Sequence, residues 1–225
     1  MQKFIYKDVI YLVLEELKQT TDDIPFEEDL IANLLNISRA VIIKQRFGSN
    51  KIEIPKEIIQ SVPFKIIFKD NIYQSNREFV IINLNGAHLF YNISIPMLSN
   101  LEITYTTLDR FKYVQISKWF KKIAYSAFSN NNKLYFKFPE GTITPALLSK
   151  GITGYFNTIL DDPRTIFPYE EDYLNLDFAI NGDLLRPILD LTLSDLYKHI
   201  HLPEDIINNG KNDLITGINN GQQSR

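Results

Sequence analysis

Asn85-Gly86 is the point at which this chain has the least conformational choice. Both residue types enter the left-handed backbone region at low cost, and a two-residue turn that needs positive φ at each position forces its flanking strands to run antiparallel. The flanks are Glu78-Phe79-Val80-Ile81-Ile82-Asn83-Leu84 and Ala87-His88-Leu89-Phe90-Tyr91-Asn92-Ile93. The turn sets the register: Leu84 faces Ala87, Ile82 faces Leu89 and Val80 faces Tyr91, an apolar side expected in the core. The reverse side pairs Asn83 with His88, Ile81 with Phe90 and Phe79 with Asn92, an apolar centre framed by amides and an imidazole. A mixed face of this kind is either roofed by the chain's own helices or pressed against another subunit, and composition does not separate the two.

Helical periodicity brackets this hairpin on both sides. From Asp8, a candidate cap, to about Gln19, Val9, Val13 and Leu17 form one stripe widened by Ile10 and Leu14. A second helix is expected after Asp22, Asp23 and Pro25. It has Glu27, Glu28 and Asp29 in its first turn and Lys44 and Arg46 in its last, which suits the helix dipole, and Gly48 ends it. Leu30, Leu34, Ile37 and Val41 line up beside Ile31, Leu35 and Ile42, so two packed antiparallel helices open the chain. Arg39, Lys44 and Arg46 raise a nucleic-acid reading, but the three carboxylates at the head favour a solvated face. Pro55 begins a short turn to Gln60. Phe64 to Lys69 reads as a strand with Phe64, Ile66 and Phe68 on one face, and Leu101 to Thr106 as another after Pro96. A final helix runs from Leu184 or Leu185 to Ile200 on Leu185, Ile188, Leu189, Leu193, Leu196, Tyr197 and Ile200, with Pro187 in its first turn.

Between these elements, Phe111 to Pro163 carries the single tryptophan, Trp119, and a dense share of the aromatics. Phe120, Ile123, Ala124, Ala127 and Phe128 fall at helical spacing, so an amphipathic helix is expected over 117–128. Asn130, Asn131 and Asn132 supply a turn, Leu134 to Phe138 a strand, and Ile152 to Leu160 a second strand beyond a proline-broken loop. The fold class is therefore α+β: an N-terminal helical pair, a mixed, mainly antiparallel β region with a central helix, a C-terminal helix and a polar tail. One domain is expected over 1–208, with a helical opening (1–60), a β-rich centre (61–163) and a C-terminal helix region (164–208). Residues 209–225 are expected to form a mobile arm.

The order Arg110-Phe111-x-Tyr113-Val114, Lys118-Trp119-Phe120, Ile123-Ala124-Tyr125, Asn132-Lys133-Leu134-Tyr135-Phe136 and Gly154-Tyr155-Phe156 through Asp162-Pro163 resembles virion structural proteins of crAss-like tailed phages. Leu202-Pro203-Glu204-Asp205, Asn208-Asn209 and Asn212-Asp213 resemble the C-terminal signature of the same proteins, ring components of the head-to-tail connector. The resemblance implies a homomeric ring, usually of twelve subunits, in the neck between portal and tail. Its implied partners are further copies of itself, adjacent connector or ring proteins, and portal or tail proteins. It also implies genomic DNA passing through the lumen without specific binding, and a place in the virion after assembly in the host cytoplasm. Phe79, Ile81 and Phe90 on the mixed hairpin face are candidates for the inter-subunit or inter-ring contact. Asn209, Asn212 and Asp213 are candidates for a clamping arm.

Composition is compatible with that role. The chain has 225 residues, 44% of them hydrophobic, enough for a sizeable core, and no cysteine, which excludes disulfides and thiolate metal sites. A net charge of −3 gives no basic footprint for gripping DNA. The N-terminus lacks a signal-peptide pattern, and no apolar run approaches the ~20 residues of a membrane span, so no membrane is expected. His199 and His201 stand two apart, the wrong spacing for a helical metal pair, and His88 completes the histidines. No nucleophile elbow, Walker loop or dinucleotide fingerprint occurs. Asp161-Asp162 and Glu170-Glu171-Asp172 are the only acidic groups that a glycan or cell-wall hydrolase could use, and solvation is the favoured reading. No catalysis, cofactor or metal is expected; a tail-associated hydrolase and a DNA-packaging factor are the alternatives.

Overall fold

The computed structural model describes residues 3–19, 27–48, 53–84, 87–88, 90–166 and 172–200. Helix α1 is Tyr6–Lys18 and α2 is Glu28–Phe47. There follow β1 (Gln60–Lys69), β2 (Ile72–Ser75), β3 (Asn83–Leu84), β4 (Ala87–His88), β5 (Phe90–Ser94) and β6 (Ile103–Tyr105). Next come α3 (Leu108–Ile116), β7 (Ala124–Phe128), β8 (Leu134–Lys137), α4 (Pro145–Lys150), β9 (Ile152–Thr158) and α5 (Gly182–Ile200). The class is α+β, as the residue patterns indicate. No helix among the described residues is long and apolar enough to cross a membrane.

Seven strands form one mixed sheet in the order β5-β9-β1-β2-β8-β7-β6, antiparallel except for the parallel pair β6–β7. Its inward residues converge on one core: Val62, Phe64 and Ile66 of β1, Ile152 and Phe156 of β9, Leu134 and Phe136 of β8, Ala124 and Phe128 of β7, joined by Phe79, Ile95 and Phe138. One face of every long strand meets in a single cluster because the sheet curls into an open, barrel-like shape. Its two end strands, β5 and β6, line a common groove of about 380 Å³. Gly154 of β9 sits at the tightest point, where the buried Phe64 ring passes.

A second core lies between α1, α2 and α5, built from Val9, Val13, Ile31, Leu35, Ile188, Leu193 and their neighbours and reaching Ile58, Ile82, Leu84 and Ile159 at the sheet's margin. A third, small one lies under α3, where Phe111 and Val114 meet Tyr125 and Ala127 on the outer face of β7.

Several expectations are corrected. Residues 117–128 do not form a helix: Lys118–Phe120 is a short 3₁₀ turn and Ala124–Phe128 is β7, every residue of it buried. A strand covered on both faces reads as an unbroken apolar run, which periodicity alone does not separate from a helix. The central helix lies instead at α3, started by the Thr107 side chain, which accepts from the Arg110 N–H.

The hairpin holds its register for two pairs, Asn83 with His88 and Leu84 with Ala87, and then its arms part. Ile81 bridges to Leu160 instead of Phe90, whereas Phe90 pairs with Thr158 and Asn92 with Asn157. Both arms use β9 and its continuation as partner, since a long strand already in the sheet offers more backbone hydrogen bonds than a free ribbon. Val80, expected in the core, is exposed, and Phe79 takes the buried place.

On α2 the expected stripe is rotated: Ile31, Ala32, Leu35, Arg39 and Ile43 are buried, while Leu30 and Ile37 face outward. Phe68 lies beyond the covered part of β1 and is exposed. Ile5 rather than Asp8 precedes α1. Helix α5 starts earlier than expected, so Pro187 falls past its first turn. The loop before β9 holds α4, which Thr144 caps by accepting from the Leu147 N–H.

Candidate functional site

A polar seam joins the helical layer to the sheet. Arg39, fully buried on α2, donates from Nε to the Ala179 carbonyl at 2.9 Å and from Nη1 to the Leu160 carbonyl at 2.8 Å. Burial lowers its pKa to about 10, against the charge of Asp161 and Asp162. Beside it, the Tyr6 hydroxyl donates to Asn36 Oδ1 at 2.6 Å, and Asn36 Nδ2 donates to Asp162 Oδ1 at 2.9 Å. Arg164 grips the Asp162 carboxylate through Nε and Nη2, donates to Asn33 Oδ1 at 2.6 Å, and lies over the Tyr173 ring, whose hydroxyl donates to Asp29. Most of these bonds join groups from different elements, so the seam fixes α1, α2 and the segment after β9 relative to one another. Its bonds are spent on structure, and the buried Arg39 Nη2 has no partner among the described residues.

The surface is less complete. Ile116 is 81% exposed, Trp119 91% and Tyr113 60%, an unusual level for side chains of this size. All three lie on the outer side of α3 and the turn after it. Lys137 Nζ anchors this platform by donating to the carbonyls of Val114 at 2.5 Å and Phe120 at 3.3 Å, as a cation at a helix C-terminus does. Exposed Arg110, Lys112, Lys121 and Lys122 surround it, with Asp109 and Glu140 as the nearby acids. A second uncovered face runs along α2: Ile37 is 56% exposed and Leu30 37%, with Glu27, Glu28 and Asp29 exposed at its head. Helix α2 packs on α1, α5 and β3, whereas α3 packs on β7, so the two faces sit on separate parts of the molecule.

The residues singled out in the sequence are dispersed. Phe79 is enclosed by its own chain, 5.1 Å from the Phe156 ring and 6.0 Å from Phe64. Ile81 is half-buried against the sheet core, and Phe90 opens β5, an end strand. Asn209, Asn212 and Asp213 lie outside the described residues, as do His201, Glu170 and Glu171. Asp162 is held by Asn36 and Arg164. Among the described residues no group of three or more His, Asp or Glu is placed to hold a metal ion. Arg39, expected on a solvated face, is instead fully buried, because sequence gives no sign of which helix face is covered by a third element. The aromatic density around Trp119 shows in the sequence, but its exposure does not.

An α+β chain that leaves two apolar faces of opposite charge uncovered has the features of an assembly subunit. Over residues 8–214 it matches the phage tail ring protein 2 family, and it belongs to that family. Among its relatives is ring protein 2 of Bacteroides phage crAss001, 29% identical over 224 residues, which cover 93% of this chain and 97% of the relative. The chain is a ring component of a phage virion.

Proposed function

We propose that this chain forms a closed ring, of twelve copies, in the neck between portal and tail, and that the genome passes through its lumen. The observation that carries the reading is the ring-protein family match, which runs from α1 through α5 and beyond. A ring made of one kind of subunit needs a heterologous contact, two different surfaces on each copy whose repeated rotation closes. The two uncovered faces described above meet that requirement in kind. A lumen that lets DNA slide must not bind phosphate, and a subunit with 24 Lys and Arg against 27 Asp and Glu suits this.

Within this reading, Ile81 and Phe90 remain candidates for the rim that meets a neighbour, since β5 is an end strand, while Phe79 supports that rim from inside. The role is structural, without turnover of a substrate. The test is the mass of the purified ring and its stoichiometry in the particle. A chain that stays solitary both in solution and in the virion refutes the proposal.

A further inference from the structure

Ile116 and Trp119 are too exposed to be explained by the folding of the single chain. Side chains of this kind cover ~150–250 Å² each, so Tyr113, Ile116 and Trp119 together expose on the order of 500 Å². That is over half of the ~800 Å² per partner in a standard stable interface, and it matches the largest patches carried by ordinary monomers. Exposed aromatics beside an arginine have the composition of an interface centre, and the lysines around them suit its polar rim.

The charge around the patch selects its occupant. Arg110, Lys112, Lys121 and Lys122 frame it, and its two acids, Asp109 and Glu140, are already engaged by Lys112 and Lys121. A complementary surface is apolar at its centre and acidic around it. Helix α2 offers that on every copy of the same chain: Leu30 and Ile37, seven residues apart on one side, are headed by Glu27, Glu28 and Asp29, with no Lys or Arg between Glu27 and Ile37. The seam of Asn33, Arg164 and Asp162 holds this helix in place from behind.

We propose that the Tyr113–Ile116–Trp119 patch of one copy docks on the Leu30–Ile37 face of α2 in the next copy, forming the repeating contact of the ring. This rests on the ring reading above. The two faces are different and lie on separate elements, so the contact is heterologous: each copy keeps one face open until the circle shuts.

The test uses the full chain and two variants, Trp119→Glu and Ile37→Glu. Both sites are exposed, so each variant keeps the wild-type melting temperature. Wild-type chain gives the ring mass, and each variant alone runs as a monomer. Trp119→Glu retains an intact α2 face and Ile37→Glu an intact aromatic patch, so their equimolar mixture gives a heterodimer and nothing larger. If the wild-type chain closes only on its neighbours in the particle, the same comparison is read as copies per virion, with each variant absent. Rings formed by either variant, or a mixture that stays monomeric, overturn the pairing and leave the ring reading standing. A wild-type chain with no homo-oligomer in solution or particle overturns the ring reading itself.

Discussion

Gly154→Ala places a methyl group where the structure has no room. A Cβ built on Gly154 lies 2.5 Å from Cζ of Phe64 and 3.0 Å from each of its Cε atoms. The ring has little freedom to yield: Phe64 is stacked on Phe136 at 5.6 Å and set edge-on to Phe79 at 6.0 Å. Overpacking a filled core costs about 1–3 kcal/mol, and so tight a contact belongs at the upper end. Replacing glycine by alanine in a strand returns roughly 0.5–1 kcal/mol. The net loss is about 2 kcal/mol, or a fall of roughly 4–8 °C in Tm for a chain of this size. Phe64→Leu removes the clashing atoms and by itself costs about 1 kcal/mol. In that background Gly154→Ala is expected to cost nothing, a coupling of about 2 kcal/mol by urea unfolding of the four variants. Additive losses, or a single Gly154→Ala variant as stable as wild type, would refute the packing argument.

Arg39→Ala leaves the carbonyls of Leu160 and Ala179 without their donor and opens a cavity, and is expected to lose about 3–5 kcal/mol. Arg39→Met refills the space but leaves the same two carbonyls without a donor, so it keeps a loss of about 1–3 kcal/mol; an Arg39→Met variant as stable as wild type in equilibrium unfolding would remove the seam's role. Trp119 is the single tryptophan, so its fluorescence reports the patch alone. The monomer should emit like indole in water and be quenched freely by acrylamide, and assembly should shift emission to the blue; an emission unchanged on ring formation counts against burial there. At alkaline pH, burial raises the Tyr6 pKa, and burial with the Asp29 bond pushes Tyr173 up to about 12, against 10.0 ordinarily. The folded chain then holds protons that the unfolded chain has lost, so these two groups stabilise fully below pH 10 and lose that contribution as pH climbs toward 12. Arg39, lowered to about 10, works in the opposite sense and offsets part of the loss. Absorbance titration should show Tyr6 and Tyr173, with Tyr105 raised by burial as well, ionising late among the 12 tyrosines; no late-ionising fraction in a folded chain contradicts the burial argument.

What was legible in the sequence follows from how locally each feature is determined. Asn83 pairs with His88 as the residue types between them imply, a relation that needs nothing distant. The turn at Asn130–Asn132 is equally local, and Asn132 has the positive φ, 56°, that its residue type tolerates. Features decided by a third element were not legible. Residues 124–128 became a strand because α3 covers one side of them and the barrel core the other. Arg39 turned inward because the carbonyls of residues 160 and 179, far along the chain, need its donors. The outward position of Ile37 escapes for a related reason: apolar periodicity marks a side chain that will be covered, but not whether its own chain does the covering.

Strand β1 has one flank on β2, its near neighbour in sequence, and the other on β9, far downstream, as Gln60 opposite Thr158 shows. Helices α1 and α2 likewise wait for α5 to complete their interior. A nascent or truncated polypeptide therefore has neither interior closed until its last third is made. Synthesis itself thus acts as an inspection step: a half-made copy lacks the closed interiors on which its uncovered faces are displayed.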